Sequence, residues 1–169
     1  MPASINTGNT AFLLISAALV FLMTPGLALF YAGLVVRGRN ALEIMMQVMI
    51  SVGIVAIIWA LFGFSLVFGR DVGGVIGDLS YWGLSTVGRQ PSVSFAPTVP
   101  LLAYFSYEVM FAIITPALIT GAFADRLDFG TYLLLLIGFS IFIYLPVAHW
   151  VWGGGFLEQL GVKDFAGGI

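Results

Sequence analysis

The chain has 169 residues, of which 60% are hydrophobic and only 8% are charged. A soluble domain carries about a quarter charged residues, so this composition excludes a soluble globular protein and predicts an integral membrane protein. The formal net charge of −2 argues against binding to nucleic acid, which needs a basic surface. With no cysteine and a single histidine, the chain can form neither a disulfide nor a Cys/His metal site, and we expect no metal and no cofactor.

The first two apolar segments each exceed the roughly 20 residues that a membrane-crossing helix needs. The first, at 11–36, is uncharged and follows a polar N-terminus that lacks the basic region of a signal peptide. Pro25 and Gly26 in its middle predict a kink. The second segment, at 44–69, contains Trp59, which marks either a membrane interface or a packed core position.

Two further apolar segments follow a polar interlude. Residues 70–100 are rich in Gly, Ser and Pro without a clean period, which predicts a solvated connector outside the membrane. The third segment, at 101–123, contains Glu108, and a carboxylate inside a span indicates a functional position, here one facing a water-filled vestibule. The fourth segment lies at 129–151. Together the four segments predict an all-α, polytopic helix bundle.

The most informative stretch is PVAHWVWGGGFLEQLGVKDFAGG, residues 146–168. Trp150 and Trp152 stand where a helix would meet the membrane–water boundary. A run of three glycines, which ends the helix and permits close backbone approach, follows at Gly153, Gly154 and Gly155. Asp164 stands at the N-cap position of a fifth helix that would start at 164. Aromatic rings beside an acidic helix start suit the capture of a small cation.

The basic residues determine the orientation only weakly, because they divide evenly between the two sides of four alternating spans. Arg37 and Arg39 form a cluster directly after the first segment. Because cytoplasmic loops are enriched in Lys and Arg, this pair favours placing the first loop inside. We therefore expect a multi-pass protein of the cell membrane with its N-terminus outside.

Five motifs, in the same order and spacing along nearly the whole chain, resemble those of the ammonium transporter / Rh family. They are Pro25-Gly26 with Phe30–Gly33, Trp59 with Gly63–Gly69, Phe111–Ile119, Gly121–Arg126, and His149–Gly155 with Asp164–Gly168. The resemblance implies a homotrimer in which each subunit has its own conduction path through two inverted five-helix halves. This chain, as the N-terminal portion of a single transporter domain, would supply most of the first half.

The resemblance also implies roles for individual residues. Trp152 is similar to the tryptophan of the outer recruitment site, whose ring face attracts NH₄⁺ by a cation–π interaction worth about 0.5–2 kcal/mol. Phe111 is similar to one of the stacked phenylalanines that close the pore, and Tyr107 to the aromatic neighbour of the recruitment site. Asp164 resembles the aspartate that supports the site electrostatically without touching the ion. Without the resemblance, an interfacial anchor, core packing and a plain N-cap would explain Trp152, Phe111 and Asp164.

Other positions receive a structural interpretation or depart from the family. His149 matches a helix-end position rather than a pore histidine, so we interpret it as structural. The same interpretation applies to the residues at kinks and tight turns, namely Pro25, Gly26, Gly153, Gly154 and Gly155. The family usually has glutamine where Glu108 stands, and a carboxylate there would raise the negative potential of the vestibule.

The function that the resemblance implies is ammonium transport rather than enzymatic bond breaking. NH₄⁺ would be recruited at the outer aromatic and acidic site, and NH₃ and H⁺ would pass through a hydrophobic pore. Its expected partners are the ammonium ion, the lipid bilayer, further copies of the chain in a homotrimer and a cytosolic signalling regulator. Two alternatives remain open. One is an ammonium sensor module, and the other is a truncated fragment without transport, because the pore histidines of the family would lie beyond Ile169.

Overall fold

The computed structural model describes residues 4–34, 41–123, 126–165 and 167. Its α-helices in chain order are α1 (Thr7–Leu34), α2 (Ala41–Ile58), α3 (Phe64–Phe68), α4 (Leu101–Leu118), α5 (Thr120–Phe123), α6 (Phe129–Phe139), α7 (Leu145–Trp152) and α8 (Phe156–Gln159). Two π-helical turns, Trp59–Gly63 and Ser140–Tyr144, join α2 to α3 and α6 to α7. The predictions that rest on Arg37, Arg39, Ala124, Asp125, Ala166 and Gly168, and the predicted end of the first segment at 36, lie outside the described residues.

Within the described ranges, four helical stretches are long and apolar enough to cross a membrane. They are Thr7–Leu34, Ala41–Phe68, Leu101–Phe123 and Phe129–Gln159, with mean hydropathies between 1.6 and 2.5. The predicted apolar segments overlap these four stretches. The chain therefore folds as the all-α helix bundle that its composition predicted.

The first helix begins four residues before the predicted segment because Asn6 supplies its cap. The Asn6 side chain accepts a hydrogen bond from the backbone N–H of Asn9 at 3.0 Å, which satisfies an amide that the helix itself leaves free. α1 then continues without a break through Pro25, so the predicted kink stays a prediction. A Cβ atom placed at Gly26 would meet no described atom within 4 Å, so close packing at this glycine is not seen within this chain.

Three parts of the chain meet at one end of the bundle, which we call the loop end: residues 4–6, 70–100 and 153–165. The backbone N–H of Asn6 donates to the carbonyl of Thr98 at 2.8 Å, and that of Phe156 donates to the carbonyl of Gly74 at 2.9 Å. This arrangement follows from four alternating helical stretches, because the N-terminus and every second connection fall on the same side.

The packing of Trp59 decides between its two interpretations. Only 1% of its side chain is exposed, and its ring lies 6.0 Å from that of Phe64 and 6.1 Å from that of Tyr144. Trp59 is therefore a core residue, and its interpretation as an interface marker is wrong. Its large ring fills the space between the α2–α3 stretch and the helix that leads into α7.

The connector at 70–100 is largely open to its surroundings, as predicted, since only Gly74, Gly77, Ala96 and Val99 are buried. A short antiparallel hairpin, β1 (Asp71–Val72) paired with β2 (Ile76–Gly77), opens it, and a 3₁₀ turn follows at Trp82–Leu84. One part of it also packs on the bundle, because the ring of Phe95 lies 5.1 Å from that of Phe68 and 5.3 Å from that of Tyr104.

Two buried tyrosines give a matched test of this packing. The hydroxyl of Tyr132 donates to the carbonyl of Gln47 at 2.8 Å and lies 3.1 Å from the hydroxyl of Thr120, whereas the buried hydroxyl of Tyr144 has no hydrogen-bond partner among the described residues. We expect Tyr132→Phe to lower the free energy of unfolding by about 1 kcal/mol and Tyr144→Phe to leave it unchanged or raise it, because only the first change removes a satisfied bond. Thermal unfolding in detergent micelles measures both, and an equal loss in the two variants would contradict this account.

Candidate functional site

One face of α4 points aromatic and acidic side chains toward the loop end. Tyr104, Tyr107, Glu108 and Phe111 lie three or four residues apart, so they share a face of the helix. The rings of Tyr107 and Phe111 meet edge to face, with centroids 5.0 Å apart and planes inclined at 71°. The Glu108 side chain is only 7% exposed, so its carboxyl group lies inside the bundle.

The end of α7 presents Trp152 from the opposite side. Gly153 closes this helix, and its N–H donates to the carbonyl of His149 at 2.9 Å. A side chain at Gly153 would collide with the carbonyl oxygen of Val67, so α7 approaches the backbone of α3 more closely than any other residue would permit. Gly154 takes a φ of +88°, which suits glycine and turns the chain away from the helix axis.

His149 lies in the last turn of α7 and is fully buried. Its Nδ1 atom lies 2.7 Å from the carbonyl oxygen of Val67, and its Nε2 atom lies 2.9 Å from Oδ1 of Asp71. The hydrogen bond between Asp71 and the imidazole holds the pKa of the Asp71 carboxyl below its ordinary value. The hydrogen bond from the backbone N–H of Gly74 adds to this effect. These contacts join α7, α3 and the hairpin, which supports the interpretation of His149 as structural.

Two adjoining cavities of about 610 and 420 Å³ open between these elements, and we call them together the loop-end cleft. Trp152 lines both of them. The smaller cavity also holds Tyr107, Glu108 and Phe111, so the structure brings together four of the five residues that the sequence singled out for binding. These four come from two helices that are far apart in the chain.

Asp164, the fifth of those residues, does not itself line the cleft. Its carboxylate accepts a hydrogen bond from the N–H of Gly167 at 2.8 Å, and Gly167 does line the smaller cavity. An aspartate that caps a helix makes this type of bond, but the described residues from 164 onwards are not helical. The start of a fifth helix at 164 therefore stays a prediction.

The chemistry of the cleft is aromatic and acidic. Besides Glu108, the carboxylates of Asp71, Asp78 and Glu158 line it, against one basic side chain among the described lining residues, that of Arg70. Ring faces attract cations, and unbalanced carboxylates raise the negative potential further. The arrangement is suited to hold a small cation and disfavours an anion.

Sequence reasoning missed several residues of the cleft, namely Asp71, Phe95 and Glu158. Each lies in a stretch whose pattern has no period, so no helix or strand face could be assigned to it. One signal existed for Asp71: a buried histidine requires acceptors for its ring nitrogens, and Asp71 is one of the few carboxylates near the end of a predicted span.

Comparison with known proteins now adds to this geometry. The family model described as Ammonium Transporter Family matches residues 11–169. The chain belongs to this family. It is therefore a multi-pass membrane protein of a transporter family, and the resemblance drawn from its five motifs is confirmed.

Similar proteins agree with this assignment. A putative ammonium transporter of Methanothermobacter thermautotrophicus is 48% identical over 166 residues, covering 98% of this chain and 40% of the relative. An ammonium transporter of Bacillus subtilis is 46% identical over 161 residues, covering 95% of this chain and 39% of the relative. The chain thus spans about 40% of the length of these curated relatives.

Solved structures of similar proteins also share this fold. The crystal structure of Candida albicans Mep2 superposes with a TM-score of 0.85 at 32% identity, covering 96% of this chain and 35% of that one. A structure described as a sensor Amt protein superposes with a TM-score of 0.83 at 26% identity, covering 94% of this chain and 39% of that one. The four-stretch bundle and its loop end therefore have the architecture of part of such proteins.

Proposed function

We propose that this chain forms the N-terminal portion, residues 1–169, of an ammonium transporter domain whose loop-end cleft recruits NH₄⁺. The observation that carries the proposal is the convergence of Trp152, Tyr107, Phe111 and Glu108 on one cavity. A ring face and a carboxylate attract a cation together, and neither attracts a neutral molecule to the same extent. The names of the similar proteins support ammonium as that cation.

Each residue of the proposed site has a role that follows from the chemistry of its side chain. Trp152 presents its ring to the ion, and Tyr107 lines the same smaller cavity. Phe111, in edge contact with Tyr107, stands one helical turn deeper and separates the cleft from the apolar interior. Glu108 and Asp164 supply negative potential, Glu108 as a vestibule residue that lines the cleft and Asp164 from behind Gly167. Beyond Phe111, NH₃ and H⁺ would continue through a hydrophobic pore, because a bare ammonium ion is costly in an apolar medium.

The remaining parts of the proposal concern the assembled protein. We place the N-terminus, and with it the loop end, outside the cell membrane, and we assign no enzymatic reaction to the chain. We propose a homotrimer on the basis of the family resemblance. In it, exposed apolar side chains of α1 such as Phe12, Ile15 and Leu19 would face lipid or another subunit. A cytosolic regulator would bind the opposite end of the bundle. The ammonium sensor remains a second candidate because the chain superposes on a sensor Amt protein.

The first prediction concerns Trp152. The longest open reading frame that contains this chain is expressed in cells lacking ammonium transporters, and uptake of labelled methylammonium is measured over a range of concentrations. We expect saturable uptake, and we expect Trp152→Leu to raise its KM about two- to thirtyfold, the range that corresponds to a lost cation–π contact. Asp164→Ala is expected to reduce uptake as well.

The control for this experiment is Trp82→Leu. Trp82 is half-exposed and stacks on Phe62, with ring centroids 6.1 Å apart, but it does not line the cleft, so its loss should leave the KM unchanged. Equal effects of the two tryptophan variants would contradict a site at Trp152. Absence of uptake by correctly inserted wild-type protein would contradict transport and favour the sensor.

The second prediction concerns Glu108. We expect Glu108→Gln to raise the KM for methylammonium up to about fivefold, because a full unit charge about 4 Å away contributes about 1 kcal/mol in water. The control is Glu43→Gln, since Glu43 is an exposed carboxylate in the first turn of α2, at the end of the bundle opposite the cleft. A KM that is the same for Glu108→Gln and wild type would remove Glu108 from the proposed site.

A further inference from the structure

The hairpin at the start of the loop is attached to the end of α7 by two hydrogen bonds and to the start of α8 by a third. These run between Nε2 of His149 and Oδ1 of Asp71 at 2.9 Å, from Nε1 of Trp150 to the carbonyl of Val75 at 2.9 Å, and from the N–H of Phe156 to the carbonyl of Gly74 at 2.9 Å. The residues that make these bonds lie on both sides of Trp152 in the chain: His149 and Trp150 before it, and Phe156 after it. The helix end that carries this tryptophan is therefore held by a segment that is itself not part of any span.

The hydrogen bonds of His149 run from its ring to α3 and to the hairpin. The carbonyl oxygen of Val67 has no proton to donate, so Nδ1, 2.7 Å away, must donate to it. On the other side, both oxygens of the Asp71 carboxylate accept from the N–H of Gly74 at 3.0 Å, which is the bonding of an ionised carboxylate. Nε2 lies 2.9 Å from Oδ1 of the same carboxyl group, so Asp71 links the imidazole ring to the backbone of the hairpin.

The environment makes this contact costly to break. The His149 ring is fully buried, and the Asp71 side chain is 29% exposed. Among the described residues, Asp71 is the carboxylate within hydrogen-bond distance of the ring. A buried polar atom that loses its partner is unfavourable, so weakening this contact would loosen the ring, and with it the end of α7, from the hairpin.

We propose that Asp71 is a positioning residue for the cation site, and that its carboxylate acts through the buried ring of His149 to fix the end of α7 and hence the ring of Trp152. Trp152 lies three residues after His149, in the same final helical turn. The absence of a side chain at Gly153 lets that turn rest on the Val67 carbonyl, so the backbone that carries the ring is held against α3. The proposal rests on the proposed function insofar as the cleft that Trp152 lines binds ammonium.

A second explanation for any effect of Asp71 must be separated from this one. Asp71 lines the larger cavity of the loop-end cleft, and so could act only by adding negative potential. Asp78 lines the same cavity and carries the same charge, but its carboxylate accepts hydrogen bonds from the backbone N–H groups of Arg70 and Ser80 and does not contact His149. Asp71→Asn and Asp78→Asn thus remove the same charge from the same cavity without changing side-chain size, and only the first alters the contact with His149.

The experiment compares these two variants in the longest open reading frame that contains the chain. Hydrogen exchange of the purified protein, followed by mass spectrometry, reports on the amides of residues 150–156, and methylammonium uptake gives the KM and the maximal rate separately. We expect Asp71→Asn to speed exchange in this segment and to raise the KM about three- to tenfold at an unchanged maximal rate, as expected for a partly lost cation–π contact. Asp78→Asn should leave exchange unchanged and the KM within about twofold, the effect of a screened charge.

Further variants complete the test. Asp71→Glu keeps the charge and should restore the exchange rate and the KM to near wild-type values. Trp150→Phe removes the hydrogen bond to Val75 without altering any charge, so it should change exchange and KM in the same direction as Asp71→Asn even if that variant is not recovered from the membrane. Equal results for the two asparagine variants, or unchanged exchange in Asp71→Asn, would overturn the proposal. If wild-type protein takes up no methylammonium, the proposed function fails, while the exchange comparison still decides whether Asp71 holds the helix end.

Discussion

The close contact between the end of α7 and the backbone of α3 is the constraint on which the loop end depends. The carbonyl of Val67 occupies the place where a side chain of Gly153 would stand, and the same carbonyl accepts a hydrogen bond from Nδ1 of His149. In an apolar bundle a polar backbone atom must find its partner inside the protein, because lipid offers none. The contact of α7 with the Val67 carbonyl therefore gives this carbonyl a hydrogen-bond partner at the point where α7 ends. It also sets the position from which the Trp152 side chain enters the cleft.

The positions of the apolar helices could be predicted from the sequence because hydropathy and length are local properties. Uncharged segments of more than 20 residues have few alternatives to a helical span. The ends were less predictable: α1 begins at Thr7 because Asn6 caps it. Trp59 shows a different limit, since an aromatic residue near the middle of a span fits both an interface and a core, and only its contacts with Phe64 and Tyr144 distinguish them.

The cleft was predictable only in part. The spacing of Tyr107 and Phe111 places them on one helix face, which a sequence can reveal. That Trp152 meets this face across the cavity came from family resemblance, because nothing local links α4 to the end of α7. The pairing of Asp71 with His149 spans 78 residues and involves a loop without periodicity, so it required the structure. Such long-range polar contacts are the part of a membrane protein that patterns of hydrophobicity do not encode.

The central claim is that the ring face of Trp152 attracts the cation electrostatically. Replacing Trp152 alone by tryptophans with one, two and three ring fluorines weakens the negative face of the ring stepwise while leaving its size nearly the same. The KM for methylammonium should then rise with each fluorine, so that its logarithm increases steadily along the series. A KM that does not change with fluorination would contradict the claim and leave Trp152 as an aromatic residue that only shapes the cleft.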